Sequence, residues 1–360
     1  MTSDAALASY PVGKWSWEVQ VVTSRDVARI AGVSQSTVSR VLNGGLGVKS
    51  STREKVLGAL ESYTPNAQAR AMRTKRTQTI GVVASDITNP YFPQLLEAIH
   101  AAASVRNLDI VLWNEHDPNA PIAIAGARSG IVDGVIVTSA TTESSAILQL
   151  IERKIPTVLI NRGLSTILCD QVVSDNIQIG RTAADYLRQS GIAEIGLVLG
   201  PNRLLAVVER HEAFIDRLWH LGEIEVPRRW TSRGELTFDA GYSAVRAMFA
   251  VKPYPRALFC SNDVLGFGAV SALHSLGLSV SEDVWVIGVD GLAMSGWEVF
   301  DLTTIRQPVE EMAAQGLDLL TKRIDGDDSP FVDIRLQTEL IVRGSTGNVQ
   351  VVSALHCQGS

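Results

Sequence analysis

The sequence predicts two parts of different class: a small all-α module over residues 20–63 and, after a short linker at 64–76, a larger α/β core over residues 77–346. Three observations carry this. Apolar residues repeat at helical spacing in the first part, short apolar runs alternate with amphipathic stretches in the second, and the charge changes sign between them. At 360 residues the chain accommodates a small module and a two-lobed core.

The charge boundary is sharp. Residues 20–76 carry ten Lys/Arg against three Asp/Glu, whereas residues 77–360 carry 21 against 33. The overall net charge of −6 therefore conceals a compact basic segment on an acidic body. That asymmetry suits a polyanion held at the small end while the body stays clear of its phosphates, although a solvated basic face has the same composition.

Other classes find little support. No apolar run approaches membrane-spanning length, and residues 1–20 lack the basic start and apolar centre of a secretion signal, so no membrane partner and a cytoplasmic location are expected. Cys169, Cys260 and Cys357 are widely spaced and read as reduced thiols, mostly buried. No histidines pair at i, i+4, so neither a metal nor any other cofactor is expected. Gly44 to Ser50 lacks phosphate-loop spacing, and no G-x-S-x-G or strand-borne G-x-G-x-x-G occurs, which argues against an enzyme. Residues 1–19, with Trp15 and Trp17, are read as a disordered extension, and residues 347–360 as a flexible tail.

In the basic module, Thr23 and Asp26 form a capping box ahead of a helix over about Ser24 to Ala31, with Val27, Ile30 and Ala31 on its apolar face. Gly32 supplies the turn, and Ser34 caps a second helix whose stripe is Val38, Val41 and Leu42. Two short helices across a three-residue turn make a helix-turn-helix. The second helix exposes Gln35, Ser36, Thr37 and Arg40, short hydrogen-bonding groups and a cation at the end where a recognition helix meets base edges. An ordinary helical hairpin would show the same polar face. A third helix, starting near Ser50 to Thr52, is expected to pack Val56, Leu57 and Leu60 beneath the first two. The four cations of Ala67 to Arg76 sit on a stretch too short to hold a helix alone, so it is expected to fold against a partner such as DNA.

Asp26-Val-Ala-x-x-Ala-Gly-Val-Ser34-x-x-Thr-Val-Ser-Arg40-Val-Leu-Asn43, followed by Thr52-Arg-Glu-Lys-Val56 and Tyr63-x-Pro-Asn66, resembles the LacI/GalR family of bacterial repressors. The resemblance implies a homodimer or tetramer on double-stranded operator DNA, with each recognition helix in the major groove and paired hinge helices in the minor groove. It implies that Gln35 and Ser36 read bases with help from Arg40, that Thr23, Ser34 and Thr37 hold phosphates, and that Asn43 joins the DNA-facing set. Ala69 and Met72 fall at the minor-groove positions, Met72 in place of the usual wedge leucine. Lys49 stands where a Ser or Asn cap is usual, with Ser50 expected to take over, and the chain between Val56 and Tyr63 is two residues shorter than in relatives.

In the core, strand-like runs occur at Thr79 to Ala84, Asp109 to Trp113, Gly134 to Thr138, Thr157 to Ile160, Glu194 to Leu199, Ala257 to Ser261 and Val284 to Val289. Alternation with helices gives parallel doubly wound sheets whose ligands sit at the C-terminal strand ends, and so many strands suggest two sheets with a cleft between. The resemblance continues through Asp86-Ile-Thr-Asn89-Pro-Tyr-Phe92, Asn161-Arg162, Asp175-Asn176, Asn262-Asp263 and Gln307. It implies two Rossmann-like lobes of the periplasmic-binding-protein type: one over about 77–174 and 305–334, the other over about 175–304 and 335–346.

Such a cleft suits a small polar effector, a sugar or a nucleobase-like metabolite. The residues placed at it are Tyr91, Phe92, Ser139, Arg162, Asp175, Arg210, Leu236, Asn262, Asp290 and Gln307. Arg210 stands where the family's main effector-gripping arginine lies, though a surface helix arginine would read alike. Leu236 replaces a frequent aromatic, Asn161 a more common Asp, and Ile192 a frequent His. The expected function is a ligand-responsive DNA-binding repressor, in which the effector changes the angle between lobes and thereby the hinge segments.

Overall fold

A computed structural model describes residues 24–42, 48–60, 76–84, 87–114, 126–127, 130–141, 145–222 and 224–347. Thr23, Asn43, Ala69 and Met72, most of the linker, the first 19 residues, Cys357 and all of the tail after Gly347 lie outside the described residues. The chain divides into two compact units between Thr77 and Gln78.

The first unit is helical. Among the described residues its helices are α1 (Ser24–Ala31), α2 (Gln35–Leu42) and α3 (Ser50–Leu60). α1 stops because Gly32 turns left-handed at φ +66°, and the Val33 amide then bonds back to the Ala28 carbonyl at 2.9 Å. α2 starts on Ser34, whose Oγ accepts from the Thr37 amide at 3.2 Å. At α3 the cap is not taken over by Ser50: the Lys49 carbonyl accepts the first helical bonds, from Thr52 and Arg53, and Ser50 is already helical.

Val27, Ala28, Ala31, Val38, Val41, Val56 and Ala59 form this unit's core. Of the expected core residues, Ile30 is 58% and Leu57 51% exposed, and the side chains of Leu42 and Leu60 lie outside the described residues. The buried face of α1 runs through Val27, Ala28 and Ala31, which leaves Ile30 roughly 100° round the helix at 3.6 residues per turn. On α3 the small Ala59 takes the inward place expected of Leu57.

The second unit holds two six-stranded sheets. The first, in order β11-β5-β4-β3-β1-β2, is wholly parallel and contains β1 (Thr79–Ala84), β2 (Asp109–Asn114), β3 (Gly134–Val137), β4 (Thr157–Ile160), β5 (Asp170–Ser174) and β11 (Asp333–Leu336). The second, in order β12-β10-β9-β8-β6-β7, contains β6 (Ile195–Leu199), β7 (Thr231–Arg233), β8 (Ala257–Cys260), β9 (Trp285–Asp290), β10 (Thr303–Arg306) and β12 (Glu339–Ile341), the last antiparallel to β10. Central strands such as GVIV and TVLI are buried along their whole length, because helices cover both sheet faces. On the first sheet α4 (Tyr91–Val105) and α10 (Val309–Ile324) cover one face, and α5 (Ser145–Glu152) the other. On the second, α6 (Asn176–Gln189) and α7 (Leu205–His220) lie opposite α8 (Phe238–Met248) and α9 (Asp263–Ser275).

The chain passes between lobes at Ser174–Asn176, at Gln307–Pro308 and at Gln337–Thr338. β10 pairs in the second sheet as far as Arg306 and β11 in the first as far as Leu336, so the last two crossings fall three residues later than the sequence suggested. Gly180 on α6 fixes how closely α7 packs, for a Cβ there would meet the Arg210 carbonyl oxygen at 2.3 Å. Gly180→Ala should therefore cost about 1–2 kcal/mol net, overpacking against backbone outweighing alanine's helix propensity. An unchanged urea midpoint for that variant would count against this packing.

Candidate functional site

The C-terminal ends of both sheets face a small cavity of about 40 Å³. The first lobe lines it with Asn89, Tyr91, Phe92, Asn161 and Arg162; the second with Leu204, Ala206, Val207, Arg210, Leu236, Asn262 and Asp290; Gln307 comes from a crossing. Eight of the ten sequence-predicted residues meet here. The other two do not line it. Ser139 is buried just past β3, and the Asp175 carboxylate caps α6, accepting from the Gln178 amide at 2.9 Å. The sequence had flagged Asn161 only as a departure, and Leu204, Ala206 and Val207 carry no pattern distinguishing them from helix core.

Helix termini and strand ends position these groups. Tyr91 and Phe92 open α4, their entry fixed by Asn89, whose Oδ1 accepts from the Tyr91 amide at 3.1 Å. The two rings meet edge to face, and the Arg162 guanidinium lies 5.3 Å over the Phe92 ring. Asn262 caps α9 by accepting from the Leu265 amide at 3.0 Å. Asn161 and Asp290 both hold positive φ, +75° and +135°, immediately at the ends of β4 and β9. Strain at corresponding places in both lobes marks positions held by their surroundings.

Arg210 is the central cation. It is 6% exposed; Nε donates to Asn176 Oδ1 at 2.9 Å and Nη1 to the Ser261 carbonyl at 2.8 Å. Neither bond uses Nη2. Burial holds its pKa below the ordinary arginine range, against the opposing pull of Asp290. Asp290 accepts from Gln307 Nε2 at 2.6 Å, and Gln307 Oε1 accepts from Ser174 Oγ at 2.8 Å. Burial, reinforced by the neighbouring Asp263, pushes the Asp290 carboxyl up to about 8. The Tyr91 hydroxyl is buried with no hydrogen-bond partner among the described residues, and burial raises its pKa strongly. A buried phenol in a polar cavity is a ready partner for a bound molecule.

This chemistry is that of a binding site. Asp263 is spent on structure, accepting from the Leu292 amide and from the Ser295 and Thr304 hydroxyls. A larger recess of about 420 Å³, at the opposite end of the first sheet, includes Cys169, Arg323 and Phe331. Arg323 there is committed to Asp170 through two bonds of 2.6 and 2.9 Å, and burial pushes the Cys169 thiol up to about 12.

The helical unit presents a second polar surface. Ser34, Gln35, Ser36 and Arg40 are exposed and Thr37 half-buried. Ser34 Oγ lies 2.8 Å from Ser36 Oγ and 2.9 Å from Thr37 Oγ1, a hydroxyl cluster at the N-terminus of α2. Gln35 Nε2 donates to Ser24 Oγ at 2.9 Å, joining the starts of α1 and α2.

A helix-turn-helix unit and a two-sheet core with a cleft at the strand ends define a ligand-binding regulator. Residues 23–66 match the description of bacterial regulatory proteins of the lacI family, and residues 184–346 that of a periplasmic binding protein-like domain. The HTH-type transcriptional repressor PurR of Erwinia tasmaniensis is 30% identical over 336 residues, spanning 91% of this chain and 98% of its own. The transcriptional regulator CelR in complex with cellobiose is 31% identical, with TM-score 0.69 over 90% of this chain and 99% of its own. The lac repressor dimer bound to operator and the anti-inducer ONPF is 25% identical, with TM-score 0.81 over 91% and 99%. This chain belongs to the LacI family of bacterial regulatory proteins: it is a DNA-binding transcriptional repressor with an effector-binding core, not an enzyme. No helix among its described residues is long and apolar enough to cross a membrane.

The Asp290 environment has a measurable signature. Its carboxyl rises from an ordinary 3.8 to about 8 on folding, so the native state binds the proton more tightly. That contribution is complete below about pH 4 and is lost as pH climbs to 8, at up to about 1.4 kcal/mol per pH unit. Asp290→Asn removes it, while Asp263, raised by burial, keeps the same sign and His211, lowered by burial and Arg233, the opposite sign in both proteins. The gap between urea midpoints at pH 5 and 8 should change in the variant by the Asp290 contribution; equal gaps in variant and parent would exclude a raised Asp290.

Proposed function

We propose that this chain represses transcription in the cytoplasm by binding a palindromic operator as a homodimer, and that a small polar effector in the interlobe cavity controls the binding. The observation that carries this is the convergence of Arg210, Asp290, Asn262 and Gln307 with the unpartnered Tyr91 hydroxyl at facing strand ends. Adjacent hydroxyls or ring nitrogens satisfy such groups in pairs, while Phe92 and Leu236 cover the ring. The cellobiose held by CelR favours a sugar.

On DNA, Gln35 and Ser36 face base edges with Arg40 beside them, and Ser34 and Thr37 face phosphate from the start of the helix. Thr23, Asn43, Ala69 and Met72, outside the described residues, complete the interface by resemblance. The effector acts by population shift. It stabilises one lobe angle, that angle sets the spacing of the two linkers in a dimer, and the coupling is about 1–3 kcal/mol per site.

Operator binding in a mobility-shift titration should fall by about 10³-fold between 50 and 200 mM salt if roughly six phosphates are contacted. A log–log slope near zero would remove DNA from the reading. Arg40→Ala should weaken specific binding by at least about tenfold with effector affinity unchanged. Arg210→Ala should bind operator normally and lose the effector response; a normal response would place the effector elsewhere.

A further inference from the structure

The start of α2 carries side chains held in two different ways. Ser34, Ser36 and Thr37 satisfy one another locally, with oxygen separations of 2.8 and 2.9 Å around Ser34. Gln35 is tied instead to another helix, its Nε2 donating at 2.9 Å to Ser24 Oγ, eleven residues earlier in the chain. Ser24 is half-buried at the first position of α1, and α1 and α2 share the core formed by Val27, Ala28, Ala31, Val38 and Val41. Packing therefore fixes the anchor, and the anchor fixes the longest of these four polar side chains.

That bond changes what the amide can offer a base pair. A carboxamide has two N–H donors and one carbonyl oxygen. A freely swinging glutamine can turn both N–H groups toward guanine, whose major-groove edge shows two acceptors, or present oxygen and one N–H together to adenine, whose edge shows a donor beside an acceptor. With one N–H held by Ser24, the two-donor arrangement is lost and the mixed one remains. The restraint also removes rotamer freedom before binding, so less ordering is left to oppose a bidentate contact. A site with the wrong base gains nothing from this, because it never orders the side chain.

We infer that Ser24 is a specificity-determining positioning residue: it holds Gln35 so that the amide reads adenine and rejects guanine at one base pair of each half-site, without itself touching the base. This rests on Gln35 facing base edges from α2, and it adds which base is chosen and what enforces the choice. Discrimination at that position belongs to a pair of residues on two helices, not to the recognition helix alone.

The test is selection of binding sites from a random duplex pool by the full-length protein, followed by titration of the selected duplex and its single-base variants. Gln35→Ala should erase the preference at one position per half-site, and the parent should prefer adenine there. Ser24→Ala should reduce the adenine-over-guanine ratio at that same position by about three- to tenfold, the scale of ordering one long side chain, while Ser24→Thr, which keeps an Oγ, retains it. Ratios at the other positions and affinity for unrelated duplex should stay within about twofold, because phosphate contacts are untouched. The double variant should match Gln35→Ala alone. An unchanged ratio in Ser24→Ala, an equal loss for every base, or a further effect of Ser24→Ala in the Gln35→Ala background would overturn the positioning role and leave Gln35 as the reader. Guanine at that position in the parent would overturn the base assignment. A Gln35→Ala variant that selects the parent's sequence would overturn Gln35 as a base reader, and a pool that yields no enriched sequence would overturn operator recognition by this helix altogether.

Discussion

The three chain crossings between the lobes are tied to one another by hydrogen bonds, and the behaviour of the core depends on that knot. Ser174, at the first, donates to Gln307, at the second. The Asp175 amide donates to the Leu336 carbonyl, and Gln178 Oε1 accepts from both the amide and hydroxyl of Thr338, at the third. Each sheet is a stiff, close-packed body, so deformation concentrates where only these bonds and a few torsions resist it. Gln307 belongs to the knot and to the cavity wall at once, through Asp290. A molecule that changes the hydrogen bonding of Asp290 therefore acts directly on a hinge.

The same economy governs the charges. Arg210 is held by Asn176, whose Nδ2 donates to Glu209, and Arg335 Nη1 of β11 lies 2.9 Å from Glu209 Oε1 though off the hydrogen-bond line. The anchor of the cavity's cation thus reaches from the second lobe to the edge strand of the first. Burying Arg210 and Asp290 is unfavourable for each, and their mutual attraction only partly offsets it. A ligand supplying hydrogen bonds to both relieves more of that cost in a closed cleft, where water is excluded, than in an open one.

Most of this architecture is legible in the sequence, and the failures have physical causes. Parallel strands buried on both faces announce themselves as apolar runs, as GVIV and TVLI do. β5, DQVVS, does not, although it is equally buried. Its Asp170 is there to receive Arg323 and its Gln171 to bond the Leu164 backbone, and a strand whose polar groups are paired across the fold carries no periodic signal. β7, β10, β11 and β12 are three or four residues long, too short for any period to show. At the cavity, Asp175 shows the limit of reasoning by residue type. An acid before a helix fits a ligand site and an N-cap equally well, and only the 2.9 Å bond to Gln178 decides. Ile30 and Leu57 show the same limit in the helical unit, where Val27, Ala28, Ala31, Val56 and Ala59 occupy the inward faces of the first and third helices.

Regulation sets a further constraint on how finely the two cleft states are balanced. Moving an equilibrium from 1:99 to 99:1 takes about 5.5 kcal/mol of differential binding, whereas coupling at one site is about 1–3 kcal/mol. A single ligand contacting one lobe has no differential affinity at all. The lining is accordingly split, with Tyr91, Phe92 and Arg162 on one lobe and Arg210, Asn262 and Asp290 on the other. Even so, the proposed switch requires the unliganded states to lie within a few kcal/mol of each other. Strained φ at Asp290, a Tyr91 hydroxyl without a hydrogen-bond partner among the described residues and a 3.4 Å interlobe bond at Asn89 each cost this arrangement stability, as the proposed switch requires.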